Sequence, residues 1–323
     1  MTIKDELLIH LDEAAGNSLS SESLGDKLGV SRSTILRHIS RLKEDGYTIE
    51  YVPQKGYALR ETADLLIPRN IREGLETEVF GKKDIIYCTE IDSTNLKAKN
   101  LAAKGAPEGT IVVSEKQTKG RGRKTREWFS PPREGIYLSL ILRPNIIVRN
   151  APRITLFAAV SIAETLKCMT DLELSIKWPN DILINGKKVA GILTEMSSER
   201  DTIKYVVVGL GLNVNTPWFP NGIRDTATSL LIETGKQISR PALVKEYLKW
   251  HERYYAMLQN TGFAPIMKRW RELADIIGKQ VTVAAFDRKY QGEVRDIDED
   301  GAIILQEKTG QVHRVIFGDV SLR

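Results

Sequence analysis

The chain is poor in the residues on which several large function classes depend. Its 323 residues include two cysteines, Cys88 and Cys168, far apart and without metal-like spacing. That excludes a disulfide framework and predicts two reduced, packed thiols in a cytoplasmic protein. Histidine occurs four times, at His10, His38, His251 and His313, which argues against a histidine base in the central part. There is no P-loop, no Ser/His/Asp order and no metal-spaced His/Cys set. Gly209 and Gly211 are followed by no helix with a third glycine, so they are not a dinucleotide fingerprint. No apolar run approaches the ~18–20 residues that span a bilayer. Met1 to Glu6 leads straight into an amphipathic pattern, so no secretory signal is expected. Fixed-period repeats and low-complexity blocks are also missing.

What is present points to an ordinary globular chain with a mild preference for acidic partners. Hydrophobic residues make up 41% and charged residues 28%, enough to bury normal cores. The length allows about two domains and a small third. A formal net charge of +5 favours an acidic partner only weakly. The most unusual stretch is Gln117 to Arg126, in which arginines and lysines alternate with Gly120 and Gly122 just after the apolar run 110–113. Glycine lets the backbone approach a ligand, and arginine matches phosphate and carboxylate with a planar fork of donors. Such a strip suits a ligand carrying an acyl group and a phosphate. A solvated basic loop or a nucleic-acid contact fits it as well.

Leu7, Leu8, Leu11, Ala14 and Ala15 recur at helical spacing in the first sixty residues. Ser21 is expected to cap a second helix that Gly29 ends, and Ser31 a third that turns Ile35, Ile39 and Leu42 inward. That third helix leaves Arg32, Ser33, Thr34, Arg37, His38 and Arg41 largely outside. Residues 47–52 and 57–59 alternate around Pro53-Gln54-Lys55-Gly56 as a hairpin, which completes a winged helix-turn-helix. The third helix is expected in the major groove. Ser31, Arg32, Ser33, Thr34 and Arg37 would meet bases and phosphates, and Lys55 of the wing the backbone. The alternative is a small domain with an ordinary charged face. One unit covers one half-site, so specificity implies a dimer on a two-fold-related operator.

A linker is expected at 61–68, with Pro68 stopping any helix, followed by a short helix carrying Ile71, Leu75 and Val79. Ile85 to Tyr87 reads as a strand leading to Asp92-Ser93-Thr94-Asn95. Ser93 or Asp92 can cap the next helix, yet three small hydrogen-bonding residues in a row exceed what a cap needs. They could hold a compact polar head such as a ureido or amide group. Ile136 to Leu142 reads as a strand and Ile154 to Met169 as a buried helix. In Ser175 to Lys187 a proline and a turn separate two strands, with Asn185-Gly186 as hairpin turn. Lys177 before Trp178-Pro179 is expected to face a pocket that Trp178 walls off; an exposed lysine on a bulged edge strand is the alternative. Gly209 and Gly211 strip one face of a strand, a mark of close approach. Residues 217–228 read as a polar turn-rich segment and 241–258 as a helix. The last ~50 residues alternate as a small antiparallel barrel, too small to stand apart from the central part.

Taken together, Lys119-Gly120-Arg121-Gly122-Arg123 with Trp128, Lys177-Trp178-Pro179-Asn180-Asp181, and Gly209-Leu210-Gly211-Leu212-Asn213 resemble the bifunctional biotin–protein ligase and biotin operon repressor family. The resemblance covers nearly the whole chain. It implies an α+β architecture: a winged helix-turn-helix over 1–62, a central mixed-sheet ligase domain over 69–273 and an SH3-like barrel over 274–323. It implies ATP, magnesium and biotin as reactants, biotinyl-5′-adenylate as intermediate and corepressor, and transfer to a lysine of a biotin carboxyl carrier protein. It also implies operator DNA and a homodimer in the liganded state. Ser93, Thr94, Asn95 and Gln117 would hold the biotin head, with Gly209 and Gly211 as floor of the slot. Arg121, Gly122 and Arg123 would meet the carboxyl and α-phosphate, Arg126 the nucleotide, and Lys177 the acyl phosphate. Trp128 and Asn213 would lie near the adenine. The stretch 130–135 departs from the family's pattern and is expected to stiffen its turn. A lipoate–protein ligase shares the chemistry but has a ligand head without ureido partners. A sensor that keeps only the repressor role is the alternative outside enzymes.

Overall fold

In a computed structural model that describes residues 2–60, 64–285, 288–316 and 318–322, the chain opens with three helices and a hairpin. α1 (Ile3–Glu13) begins with a capping box: the Thr2 hydroxyl accepts from Asp5 N, and the Asp5 carboxylate accepts from Thr2 N at 2.9 Å. α2 (Ser21–Leu28) is capped by Ser20, one residue earlier than expected, because Ser20 is the one in extended backbone with its oxygen facing Ser23 N. Gly29 closes the helix at φ +65°. α3 (Arg32–Glu44) is capped by Ser31 and buries Ile35, Ile39 and Leu42. β1 (Ile49–Val52) and β2 (Gly56–Leu59) pair antiparallel as the wing.

The expected linker is not a loose tether. Residues 61–63 lie outside the described part, but Leu65, Leu66 and Ile67 are buried. Pro68 does not stop a helix: it starts α4 (Pro68–Arg72) from the first-turn position, where its missing N–H costs nothing. Leu75 and Val79 fall beyond this short helix.

The central sheet contains β3 (Ile85–Cys88), β4 (Ile111–Ser114), β5 (Gly135–Leu142), β6 (Leu174–Lys177), β7 (Asp181–Ile184), β8 (Lys187–Glu199) and β9 (Thr202–Asn213). Their spatial order is β3-β4-β5-β9-β8-β7-β6. Only β3 and β4 run parallel, joined across the sheet by α5 (Thr94–Ala103). One face packs against Ala98 and Ala102 of α5 through Val112, Ile141 and Val207. The other packs against α6 (Pro152–Met169) and, beyond the short α7 (Leu230–Thr234), against α8 (Arg240–Asn260). β5 is therefore buried along its whole length, which accounts for its nearly unbroken apolar run. Cys88 is buried, but Cys168 is exposed on α6, so only one of the two free thiols is packed as expected.

After α9 (Ala264–Leu273), β10 (Gln280–Ala285), β11 (Arg288–Ile297), β12 (Ile303–Gln306), β13 (Val312–Val315) and β14 (Asp319–Leu322) form an antiparallel sheet in the order β13-β12-β11-β10-β14. It is tied to the central domain as its small size demands. Trp178 Nε1 donates to Gly301 O at 2.9 Å, Arg153 pairs with Asp300, and Arg271 with Asp296. The winged helix is fixed at the other end. Asp5 accepts from Thr89 N and Oγ1 at 2.8 and 2.9 Å, and the hydroxyls of Tyr47 and Tyr87 meet at 3.2 Å.

Candidate functional site

Three separately positioned groups converge on one cavity of about 220 Å³. The first group stands at the start of α5. Ser93 occupies the N-cap position, but neither it nor Asp92 caps the helix: the Ser93 side chain makes no cap bond, and the Asp92 carboxylate accepts from Ser93 N. Gln117 does the capping, its Oε1 accepting from Thr94 N at 2.9 Å. The cap residues are thus left free for the cavity, which Ser93, Thr94, Asn95 and Gln117 all line. Asn95 is held from both sides. Its Nδ2 donates to Leu193 O and to Glu195, both at 3.1 Å, and its Oδ1 accepts from Ser139 at 2.6 Å. Glu195 in turn pairs with Lys99 at 2.7 Å.

The second group is the basic strip. It folds back on itself: Gly122 N donates to Arg126 O at 2.7 Å and Trp128 N to Gly120 O at 2.9 Å, around a 3-10 turn in which Lys124 has φ +53°. A Cβ on Gly120 would lie 2.5 Å from Trp128 O, so that fold-back requires glycine there. Arg123 is placed by partners outside the strip, donating to Asn180 Oδ1 and to Gly318 O at 3.1 Å each. Asp319 of β14 faces Arg126 at 2.9 Å, Lys124 at 3.3 Å and Arg123 at 3.4 Å. Burial pushes the Asp319 carboxyl up, but the hydrogen bond from Lys124 and the charges of Arg126 and Arg123 outweigh it and hold the group below its ordinary range.

The third group comes from the strands. Lys177 ends β6 and lines the cavity, and its side chain makes no hydrogen bond or ion pair with the described residues. Trp178 is buried beside it. Gly209 and Gly211 share a face of β9, but what approaches them is protein. A Cβ on Gly209 would sit 1.9 Å from Asn95 Oδ1, and one on Gly211 2.4 Å from Trp128 Cε2. Gly191, paired with Gly211, leaves room for the same indole. Trp128 thus lies flat along the sheet with Lys188 over its ring at 5.1 Å, and its Nε1 is buried without a partner among the described residues.

Of the residues expected from the sequence, Ser93, Thr94, Asn95, Gln117, Arg121, Gly122, Arg123, Arg126, Trp128, Lys177, Gly209 and Gly211 line this one cavity. Asn213 does not; its amide donates to Thr228 O. Lys188, Glu195, Ser139 and Asp319, which the sequence did not mark, and Asn180 and Asp181, which it marked only as part of a motif and without a role, orient the lining or complete it. A lone serine inside the apolar run of β5 was the available signal for Ser139.

The second expected surface is on the winged helix. Ser31, Arg32, Ser33 and Arg37 are exposed along the start of α3, Thr34 is half-buried, and Lys55 is exposed at the tip of the wing. Arg32 pairs with Glu22 at 3.1 Å. Burial first, and then the charges of Arg37, Arg41 and Lys4, push His38 down, which favours its neutral form. The stretch after Trp128 reaches back to the same unit. Arg133, at φ +60°, donates to Gly46 O at 2.6 Å and lies over the Tyr47 ring at 5.3 Å.

The comparisons with known proteins agree with this architecture segment by segment. The biotin/lipoate A/B protein ligase family matches residues 86–213, an HTH domain matches 4–58, and the biotin protein ligase C terminal domain matches 276–323. Biotin protein ligase from Aquifex aeolicus, solved in complex with biotin and ATP, superposes with a TM-score of 0.66 at 30% identity, over 75% of this chain and 99% of that one. The bifunctional ligase/repressor BirA of Escherichia coli (strain K12) is 30% identical over 313 residues, 96% of this chain and 94% of its own. That of Bacillus subtilis (strain 168) is 38% identical over 323 residues, 99% of each chain. With a helix-turn-helix, a ligase domain and a C-terminal domain in the order of those relatives, the chain belongs to the BirA family of bifunctional ligase/repressors.

Proposed function

We propose that the chain is an ATP-dependent biotin–protein ligase that also represses transcription, with biotinyl-5′-adenylate serving as both acyl donor and corepressor. The observation that carries this is one cavity with a polar trio at α5 and a cluster of cations around Arg123 and Lys177. Adenylation brings a carboxylate up to a polyphosphate, and the two anions repel until cations are fixed between them. Arg121, Arg123, Arg126 and Lys177 supply those cations, and in a site screened from water they stabilise the charge that grows on the phosphate. Ser93, Thr94, Asn95 and Gln117 would hold the ureido head. Trp128 offers the purine an aromatic face. The domain limits that suit this division are 1–62, 69–273 and 274–323.

Among the described residues no group of three or more His, Cys, Asp or Glu side chains could hold a metal ion, and Asp181 at the cavity is paired with Lys188 at 2.7 Å. That donor set suits magnesium that arrives on the triphosphate and stays on its oxygens. The acceptor of the acyl group would be a lysine of a biotin carboxyl carrier domain. The exposed start of α3 and Lys55 of the wing support operator binding, and a single winged helix reads one half-site, which favours a homodimer in the adenylate-bound state. None of the described helices is long and apolar enough to cross a membrane, and a cytoplasmic location suits this reaction.

Lys177 acts electrostatically in this scheme. Lys177→Ala should lower adenylate formation, read as pyrophosphate release, by about 100-fold or more, the loss typical of removing one transition-state donor. Biotin affinity should stay within a few-fold, and near-normal pyrophosphate release would refute the role. The reaction itself is tested by mass spectrometry of a carrier domain incubated with the protein, ATP, magnesium and either biotin or lipoate. Gain of mass from biotin alone supports the assignment. Gain from lipoate would make the chain a lipoate ligase, and gain from neither would leave a sensor that only represses.

A further inference from the structure

The turn between β11 and β12, Asp298 to Ala302, reaches the site from the C-terminal sheet through one buried contact. Its Gly301 carbonyl accepts from Trp178 Nε1 at 2.9 Å. Trp178 is buried, so the contact is shielded from solvent, and a donor left there without its acceptor would be costly. The turn is built to hold that carbonyl still. Asp298 Oδ1 accepts from Asp300 N at 2.9 Å and from Ala302 N at 3.0 Å, and Gly301 N donates to Asp298 O at 2.9 Å. Arg314 donates to the carboxylates of both Asp298 and Asp300, and Asp300 is also paired with Arg153 of α6 at 2.9 Å. Gly301 has φ +84°, and a Cβ there would stand 2.1 Å from Leu156 Cδ1, so the turn rests on α6 by its backbone.

On the other side of Trp178 stand cations that the adenylation scheme needs. Lys177 precedes it. No described residue holds the lysine side chain, so the ammonium takes its place from the backbone that carries it. Asn180 follows, and its Oδ1 accepts from Arg123 at 3.1 Å. Asn180 is gripped by β8, its Nδ2 donating to Ile192 O at 2.9 Å and its carbonyl accepting from Ile192 N at 3.0 Å. The Lys177 end is paired with Asp181 across the hairpin, and the Trp178 indole is its anchor to the C-terminal sheet. Residues 298–302 lie outside the lining of the cavity, whereas Trp178 belongs to it. We propose that the Asp298–Ala302 turn is a positioning element for adenylation, which sets Lys177 and the Asn180–Arg123 pair through the Trp178 indole. Small misplacements of such groups cost rate more than binding. The biotin-head residues hang on α5 and Gln117, so biotin affinity is independent of the turn. The inference rests on the ligase reading and deepens it.

The test is single-turnover formation of biotinyl-adenylate by the full-length protein with biotin, ATP and magnesium, beside calorimetric titration with biotin alone. Asp298→Ala, which removes the acceptor that shapes the turn, and Trp178→Phe, which removes only the N–H and part of the ring, should each slow adenylate formation about tenfold, one hydrogen bond's worth. Biotin affinity should not move in either. The double variant should be no slower than the slower single one, because both changes act along the same route. Asp298→Asn keeps an acceptor for the Asp300 and Ala302 amides and should recover most of the rate; it also serves if the alanine variant does not fold. Arg271→Met is the control, since it breaks another tie of the C-terminal sheet, to Asp296, without touching the turn. It should lower thermal stability and leave the rate alone. Equal slowing by Arg271→Met would reduce the turn to a general stabilising role and overturn the proposal, as would effects that multiply in the double variant or rates that do not change. A wild type that forms no adenylate would overturn the ligase reading itself, an outcome distinct from a working wild type with unaffected variants.

Discussion

At the scale of single residues the site depends on side chains that need empty space beside them. Gly209 is the sharpest case, since its missing Cβ is the space that Asn95 Oδ1 occupies. Gly209→Ala should push Asn95 off Ser139 and Leu193 and weaken biotin binding by about 100-fold, the scale of an ångström-sized misplacement in a site. Gly235→Ala is the matched control. Gly235 has φ +70° and nothing within 4 Å of its Cβ position, so that change should lower stability by about 1 kcal/mol and leave binding alone. Titration of both variants with biotin decides the matter, and equal affinities would show that Asn95 is not held by the glycine. Much of the site was legible in the sequence. Three small polar residues at a strand-to-helix junction and a glycine-spaced basic strip are local patterns. The capping role of Gln117, the anchoring of Arg123 by Asn180 and the salt links to Asp319 were not legible. Each joins residues 23 to 196 positions apart, counted from Thr94 to Gln117 and from Arg123 to Asp319, and no periodicity records such pairings.

At the scale of elements, α8 shows how burial writes a pH dependence into the core. His251 is fully buried between the rings of Phe80, Phe157 and Tyr247, with centroids 5.2, 4.9 and 5.3 Å away, and neither ring nitrogen has a partner among the described residues. Burial pushes it from 6.5 down to about 3. The folded state thus resists a proton that the unfolded chain takes up readily. Stability from this group is complete above pH 6.5 and is lost as pH falls toward 3. His251→Phe should remove that slope and gain roughly 2 kcal/mol over wild type at pH 5 relative to pH 7.5. Urea midpoints at the two pH values measure it, and identical slopes in both proteins would exclude His251 as the cause. The elements themselves were legible where one face is buried, as in α1, α3 and the wing, and in α6 from its long apolar run. α9 is harder to read although Ile266, Met267, Trp270 and Leu273 follow helical spacing, because it is only ten residues long and carries a proline in its first turn. Pro68 is ambiguous in the sequence, since a proline alone does not distinguish the start of a helix from its end.

At the scale of the whole molecule, the two outer domains are fastened to opposite ends of one segment of the site, residues 117–133. The strip 117–126 is tied to the C-terminal sheet by Asp319, and the segment that follows Trp128 is tied to the winged helix by Arg133 and to the central core by Arg133 N on Glu115 O at 2.9 Å. Glu115 is itself buried and paired with the buried Arg240 at 2.7 Å, so this end is rigid. The Asp319 end is different in kind, because it is a carboxylate holding the cations that a phosphate would claim. Before nucleotide arrives, Asp319 neutralises Lys124 and Arg126 and keeps the strip folded over the cavity. In the proposed reaction, phosphate oxygens of bound nucleotide would supply the same charge. Asp319→Asn should therefore open the strip only in the unliganded protein. Trypsin should cut between Lys119 and Arg126 several-fold faster in the variant than in wild type, and biotin with ATP should suppress cutting in both to the same low rate. Equal rates in the two unliganded proteins would mean that the strip is held by Arg123 on Asn180 and Gly318 alone. Faster cutting that biotin and ATP fail to suppress would mean that Asp319 supports the liganded state as well, with the C-terminal sheet acting as a wall of the closed site in addition to a latch on the open one.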